Sequence, residues 1–166
     1  MSPGFLRASL NGSRQSAERL LGASLPTDWP HAADLLEMRL RQLESDPALL
    51  PWLLRAMVLR ENRTAVGFIG FHTAPRPDYL RPWCPEGVEF GFAVFLMHRR
   101  RGYAQEASLA LMRWAREERG VASFVVSVRP DNVASQALVA KLGFVKVGSH
   151  VDEIDGIEDV LVLEAR

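Results

Sequence analysis

Three consecutive arginines, Arg99, Arg100 and Arg101, stand in the stretch HRRRGYAQEA, between an apolar run and a helix-like one. A loop that leads from a strand into a helix N-terminus exposes unpaired backbone N–H groups beside the positive end of the helix dipole, and anions bind there. Gly102 lets the backbone approach a ligand without a Cβ, and the small Ala104 keeps the first helical turn close to it. The arginines add charge-assisted contacts to phosphate oxygens. The same tripeptide could instead grip nucleic acid or only solvate a loop. A second group lies just upstream in VEFGFAV, where Val88, Phe90, Phe92 and Val94 fall on one face of a strand and Glu89, Gly91 and Ala93 on the other. A carboxylate between small residues leaves room for something to lie against the sheet.

The composition narrows these readings. At 166 residues the chain has the size of a single domain, 1–166, able to bury most of its unfolded surface around a core. Twenty basic and twenty acidic residues cancel, so there is no global attraction to a polyanion, which argues against nucleic acid. The one cysteine, Cys84, lacks both a disulfide partner and metal ligands at zinc spacing, which suits a cytoplasmic protein and a buried, incidental thiol. The apolar run Phe92–Met97 is far below the ~20 residues that span a bilayer, so no membrane association is expected. The first seventeen residues carry arginines and serines without an acid, as transit peptides do, but LRASL reads as a strand, and the segment is taken as part of the fold.

The elements that must position these residues follow from periodicity and punctuation. Three helix-like stretches fill the N-terminal third: SRQSAERLLG, DWPHAADLLEMRLRQLESDP and DPALLPWLL, with Asp28 and Asp46 as caps and Pro47 in a first turn. Met57–Arg60, the turn ENRT and Ala65–Phe71 predict a hairpin. Residues 73–87, with four prolines, read as a long loop. The strand 88–95 precedes the arginines. Tyr103–Arg119 is then a helix ended by Gly120, Ser123–Val128 a buried strand, and Asp131/Asn132 cap a second helix closed by Gly143. Phe144–Val151 and Ile157–Leu163 form a last hairpin around Asp155-Gly156. The order is α/β, with a mixed, mostly antiparallel central sheet flanked by helices on both faces.

RRRGYA after a strand, followed about thirty residues later by RPDNVASQALVAKLGF, resembles the GNAT superfamily of acyl-CoA-dependent N-acetyltransferases, closest to the branch of the ribosomal-protein N-terminal acetyltransferases. The resemblance covers about residues 57–165; residues 1–56 match only in helical character and are expected to shape the acceptor site. It implies acetyl-CoA as co-substrate, with Arg99, Arg100, Arg101, Gly102, Tyr103 and Ala104 as the pyrophosphate loop. The strands 88–95 and 123–128 would splay, leaving backbone at Phe92, Ala93 and Val94 to pair with the pantetheine arm, and Asn132 and Ser135 would be cofactor neighbours. The sequence departs from the family in two places. Many members have a tyrosine five residues before the Phe of L-G-F, as proton donor to the departing thiolate, where this chain has Val139; Ser135, one turn earlier, or a water would substitute. A proline common two residues after the strand's last valine is Leu96 here.

An amine must lose its proton to attack a thioester, and a carboxylate with a raised pKa can take it, often through water. Glu89 is the candidate base, alongside Ser135 as candidate donor. Binding both substrates supplies proximity, and backbone amides polarise the carbonyl. The expected activity is acetyl transfer to a primary amine by direct attack in a ternary complex. The acceptor is either a protein N-terminus or a small amine, polyamine or antibiotic, and a homodimer accords with family habit. The competing reading is a non-catalytic acyl-CoA-binding or regulatory module, motivated by the missing tyrosine.

The remaining residues carry less. His31, His72, His98 and His150 form no pair at metal or triad spacing and read as structural, so no metal is expected. DEIDGIED fails the calcium-loop pattern, because Gly156 in sixth place puts Val151 first; its acids would attract a cationic amine. Trp29 and Trp83, in Pro-rich connections, are candidates for lining an acceptor pocket. Neither a P-loop nor a G-x-S-x-G motif is present.

Overall fold

The computed structural model describes residues 1–30, 32–152 and 156–164. Among the described residues five α-helices and six strands run in the order α1 (Pro3–Leu10), α2 (Arg14–Leu21), α3 (Ala33–Ser45), β1 (Arg55–Val58), β2 (Ala65–Phe71), β3 (Val88–Val94), α4 (Tyr103–Arg119), β4 (Ser123–Val128), α5 (Val133–Lys141), β5 (Val145–Asp152) and β6 (Gly156–Glu164). The strands are hydrogen-bonded in the order β1-β2-β3-β4-β6-β5. The β3–β4 pair is parallel, while β1–β2, β4–β6 and β5–β6 are antiparallel, so the sheet is mixed and mostly antiparallel, as the sequence indicates.

The chain forms two compact units, Met1–Gly70 with Phe92–Tyr103, and Phe71–Gly91 with the described residues of Ala104–Arg166. In the first, α1 begins where Ser2 Oγ accepts the Phe5 N–H and Pro3 takes a first-turn position. The expectation of a strand at LRASL is therefore corrected. Its apparent alternation is incidental, and Phe5, Leu6 and Ser9 form the buried helical stripe. The second predicted helix starts only at Ala33, with Ala32 rather than Asp28 at its cap, because Pro30 offers no N–H for a helix interior. Asp46 does act as a cap, accepting the Ala48 N–H at 3.0 Å, but of a short 3₁₀ turn, Pro47–Leu49, that stops before Pro51.

The core of this unit gathers Phe5, Leu36, Leu43, Leu53, Trp29 and Phe95, with Trp29 packed on Phe5 and Phe95 at ring-centroid distances of 6.0 Å each. Gly67 of β2 lies so close to β3 that a Cβ there would stand 2.3 Å from the Ala93 carbonyl oxygen. The second unit is built on β3, β4, β6 and β5. Phe71, Phe90, Phe124 and Phe144 interlock at centroid distances of 6.0–6.4 Å. Leu80, Cys84, Val125, Val160 and Val162 form a separate cluster that anchors the Pro-rich loop, and Trp83 lies over Gly148, where a Cβ would meet its ring at 2.1 Å.

Candidate active site

Strand alternation puts Glu89 on the opposite face of β3 from the buried Phe90, beside Val125, its partner on β4. That face is not bare. His72, the residue after β2, donates its backbone N–H to the Glu89 carbonyl at 2.9 Å, and its Nδ1 stands 3.3 Å from Glu89 Oε2. The imidazole lies over Gly91, where a Cβ would sit 2.9 Å from Nε2. What lies against the small residues of β3 is thus a side chain of the same protein. Ser127 Oγ donates to Glu89 Oε1 at 2.6 Å, and the Tyr79 hydroxyl, brought by a 3₁₀ turn at Asp78–Leu80, adds a further hydrogen bond to the carboxylate.

The expectation of a raised Glu89 pKa is corrected by this surrounding. Burial pushes the carboxyl up, but the hydrogen bond and charge of His72, followed by the hydroxyls of Ser127 and Tyr79, outweigh it and hold the group below the usual glutamate range. Glu89 is an ionised carboxylate with both oxygens engaged. The sequence reading classed His72 as structural and passed over Tyr79 and Ser127. The signal that could have found His72 is Gly91, a glycine that clears space beside a strand carboxylate.

The ladder between β3 and β4 pairs Val88 with Phe124 and Glu89 with Val125 in parallel. Phe92, Ala93 and Val94 are half-buried, and Ala93 packs against the core of its own unit.

Arg99, Arg100, Arg101 and Gly102 are exposed and lead directly into α4, with Tyr103 and Ala104 half-buried in its first turn. The loop turns through left-handed backbone at Arg100 (φ 61°) and Gly102 (φ 83°). No atom lies within 4 Å of where a Gly102 Cβ would stand, so its backbone has an open side. Arg99 is not a free cation arm: its Nε donates to the Val94 carbonyl at 3.0 Å and ties the loop to the end of β3. Asn132 is the N-cap of α5, its Oδ1 accepting the Ser135 N–H at 3.2 Å. Ser135 is half-buried in the first turn, whereas Val139 is fully buried, so the position of the usual tyrosine is a core position here.

Other predicted features lie elsewhere. Trp29 is a core residue whose Nε1 donates to Ser9 Oγ at 3.0 Å, and Trp83 packs on Gly148; both fill space within the fold rather than an open acceptor pocket. Cys84 is buried, and burial, together with the carboxylates of Glu164 and Glu86, pushes its thiol above the ordinary range against a hydrogen bond from Ser123. His150 stands 3.8 Å from Glu158. His31 and the hairpin acids Glu153 and Asp155 lie outside the described residues. Among the described residues no His, Cys, Asp or Glu cluster could hold a metal, and no helix is long and apolar enough to cross a membrane. An open groove of about 690 Å³, bordered by Arg116, Gly143, Val145, Val147 and Val162, contains none of the predicted site residues.

Comparison with known proteins bears on the whole of this arrangement. The acetyltransferase (GNAT) domain profile matches residues 6–145. YjdG of Bacillus subtilis, described as an uncharacterized N-acetyltransferase, is 33% identical over 94 residues, 57% of this chain and 50% of that protein. The chain spans about half the length of the curated relatives it matches. Among solved structures, the ribosomal-protein-S5-alanine acetyltransferase of Vibrio fischeri superposes with a TM-score of 0.66 at 15% identity, covering 99% of this chain and 90% of the other. A chimera of the spermidine N-acetyltransferase SpeG from Vibrio cholerae and hSSAT gives 0.63 at 16% identity, covering 99% and 92%. These likenesses are to the fold, and the profile match over most of the chain goes further: the protein belongs to the GNAT acetyltransferase family.

Proposed function

We propose that the chain is an acetyl-CoA-dependent N-acetyltransferase that acylates a primary amine by direct attack in a ternary complex. The observation that carries this reading is the exposed turn at Arg100–Gly102, left-handed at Arg100 and Gly102 and open where a Gly102 Cβ would stand, which leads into the first turn of α4. Family membership implies acetyl-CoA, and the residues present fit it. The exposed Arg100 and Arg101, the open side of Gly102 and the first N–H groups of α4 suit a pyrophosphate, and Ala104 leaves that turn uncrowded. The family resemblance assigns backbone at Phe92, Ala93 and Val94 to the pantetheine arm and counts Asn132 and Ser135 among the residues that contact the cofactor. Arg99 shapes the loop by its bond to Val94.

When bound, acetyl-CoA supplies an acyl group activated as a thioester. The protein's own part is to hold the amine and accept its proton, and the cluster around Glu89 provides the negative charge beside which that proton comes to rest. The Ser135 hydroxyl is the candidate donor of the returning proton, since Val139 has none to give. The related folds motivate two acceptor probes, a peptide with an N-terminal alanine and spermidine.

Calorimetric titration with acetyl-CoA, and with CoA lacking its 3′-phosphate, tests the cofactor site. Binding is expected for the wild type and lost in Gly102→Val, because a β-branched residue at φ 83° is strained and closes the open side. Absence of heat and of thermal stabilisation by acetyl-CoA would overturn the reading. Binding without turnover of any amine would favour the acyl-CoA-binding module, which the buried Val139 supports.

A further inference from the structure

Asp159 is a buried carboxylate that the chemistry proposed above leaves unused. It stands at the end of the β4–β6 ladder, paired with Val128, the last residue of β4. A carboxylate so placed needs donors around it, and among the described residues three reach it. Two come from β5: Lys146 Nζ lies 2.6 Å from Oδ1, and Ser149 Oγ donates to the same oxygen at 3.0 Å. The third comes from α5, where Gln136 Nε2 donates to Oδ2 at 3.4 Å. The hydrogen bond from Lys146, against burial and with help from Ser149 and Gln136, holds the carboxyl below the ordinary aspartate range.

The same Gln136 amide also donates to the backbone carbonyls of Val128, at 3.3 Å, and Arg129, at 3.4 Å. Two carbonyls and an ionised carboxylate can only accept, so the end of the amide turned toward them is its NH2. Val128 and Arg129 are where β4 ends and the turn into α5 begins. Within that turn Arg129 forks onto Asp131 at 3.0 and 2.6 Å, the Asn132 N–H reaches the Arg129 carbonyl at 3.0 Å, and Asn132 caps Ser135. Those bonds shape the turn locally, while Gln136 ties it to the β5–β6 hairpin. All three of its bonds are long, and the charged acceptor is the strongest of them, so the carboxylate decides where the amide points. Lys146 and Ser149 approach the other oxygen, and their loss leaves the Oδ2 bond to Gln136 in place.

Resting on the acetyltransferase reading above, in which Asn132 and Ser135 meet the cofactor, we infer that Asp159 is a positioning residue: acting through Gln136, it fixes the first turn of α5 against the end of β4 and so sets the affinity for acetyl-CoA. Positioning is separated from stability alone by calorimetry with acetyl-CoA, thermal melts without it, and turnover of the alanine peptide and spermidine. Asp159→Ala should weaken acetyl-CoA binding about 5–10-fold and raise the KM for acetyl-CoA by the same factor, with kcat at saturating acetyl-CoA within about threefold of the wild type. Gln136→Leu keeps the bulk and removes the amide, and should do the same. The double variant should be no worse than either single one, since residues that act as one unit are not additive. Asp159→Asn keeps an oxygen for Gln136 and should bind within about twofold of the wild type, whereas Lys146→Ala should lower Tm yet also bind within about twofold. Asp159→Ala or Gln136→Leu melting lower but binding acetyl-CoA as the wild type does would overturn the assignment, as would Lys146→Ala weakening binding as much as Asp159→Ala. Should Asp159→Ala not fold, Gln136→Leu decides alone. A wild type that binds no acetyl-CoA would sink the acetyltransferase reading and this inference with it.

Discussion

Replacing Glu89 by glutamine separates the structural worth of its charge from that of its shape. In the wild type the carboxylate accepts a 2.6 Å bond from Ser127 and a 3.3 Å contact from His72. Bonds to charged groups contribute about 1.5–3 kcal/mol and neutral ones about 0.5–1.5. The short Ser127 bond should therefore weaken by about 1 kcal/mol, and the longer His72 contact by less. Relief of burying a charge offsets part of this, leaving Glu89→Gln less stable by about 0.5–1.5 kcal/mol at pH 7, or about 1–6 °C in Tm for a chain of this length. The pH dependence carries the sharper prediction. Folded Glu89 is held below its unfolded value, so its contribution is fully present above the ordinary glutamate range and is lost as pH falls through the lowered folded value. Glutamine does not titrate. The gap between wild type and variant, followed by thermal melts from pH 7 to pH 3, should close in acid. A gap that stays constant or widens in acid, or a variant more stable than the wild type at pH 7, would refute the argument that His72, Ser127 and Tyr79 outweigh the cost of burial.

Gly67→Ala should destabilise the fold by about 3 kcal/mol or more, because its Cβ would stand 2.3 Å from the Ala93 oxygen and 3.0 Å from Val94 Cα, both backbone atoms that cannot swing away; a Tm within 2 °C of the wild type would contradict the close approach of β2 and β3. Trp83→Ala should cost about 3–5 kcal/mol if the ring is as tightly seated as its contact with Gly148 implies; urea denaturation reads this out, and a loss below 1 kcal/mol would mean the loop does not depend on it. Cys84 should resist a disulfide-exchange reagent at pH 8 in the folded protein and react at once in denaturant, since it is buried and its thiol is pushed up; rapid reaction in the native state would show that the loop 73–87 opens freely.

What was legible in the sequence was whatever local signals decide. Tyr103–Arg119 and Ser123–Val128 fall where periodicity, Gly120 and Pro130 put them, because helix faces and strand stops are written in neighbouring residues. The errors have local causes of the same kind. LRASL alternates like a strand, yet Ser2 and Pro3 just before it start a helix, and DPALL carries a helix cap but meets Pro51 within one turn. The chemistry around Glu89 was half legible. An acid in an apolar strand is visible by itself, but its partners come from three places: His72 from the end of β2, Tyr79 from a turn inside a Pro-rich loop, and Ser127 from β4. None is close to Glu89 in sequence, and only the register of β2 on β3 and of β3 on β4 brings them to one carboxylate.

That convergence explains why the expected sign of the Glu89 pKa was wrong. Burial alone would raise a carboxyl, and a strand of Val, Phe and Gly gives no hint of donors. Once three donors surround it, the same burial strengthens each of their bonds, and the group becomes a fixed negative charge instead of a free base. That fixed charge lies 3.3 Å from His72 Nδ1, so the carboxylate and the imidazole hold each other in place on β3. Gly91 is part of the same arrangement, since a Cβ there would stand 2.9 Å from His72 Nε2, force the ring off the strand and leave the Glu89 charge to Ser127 and Tyr79 alone.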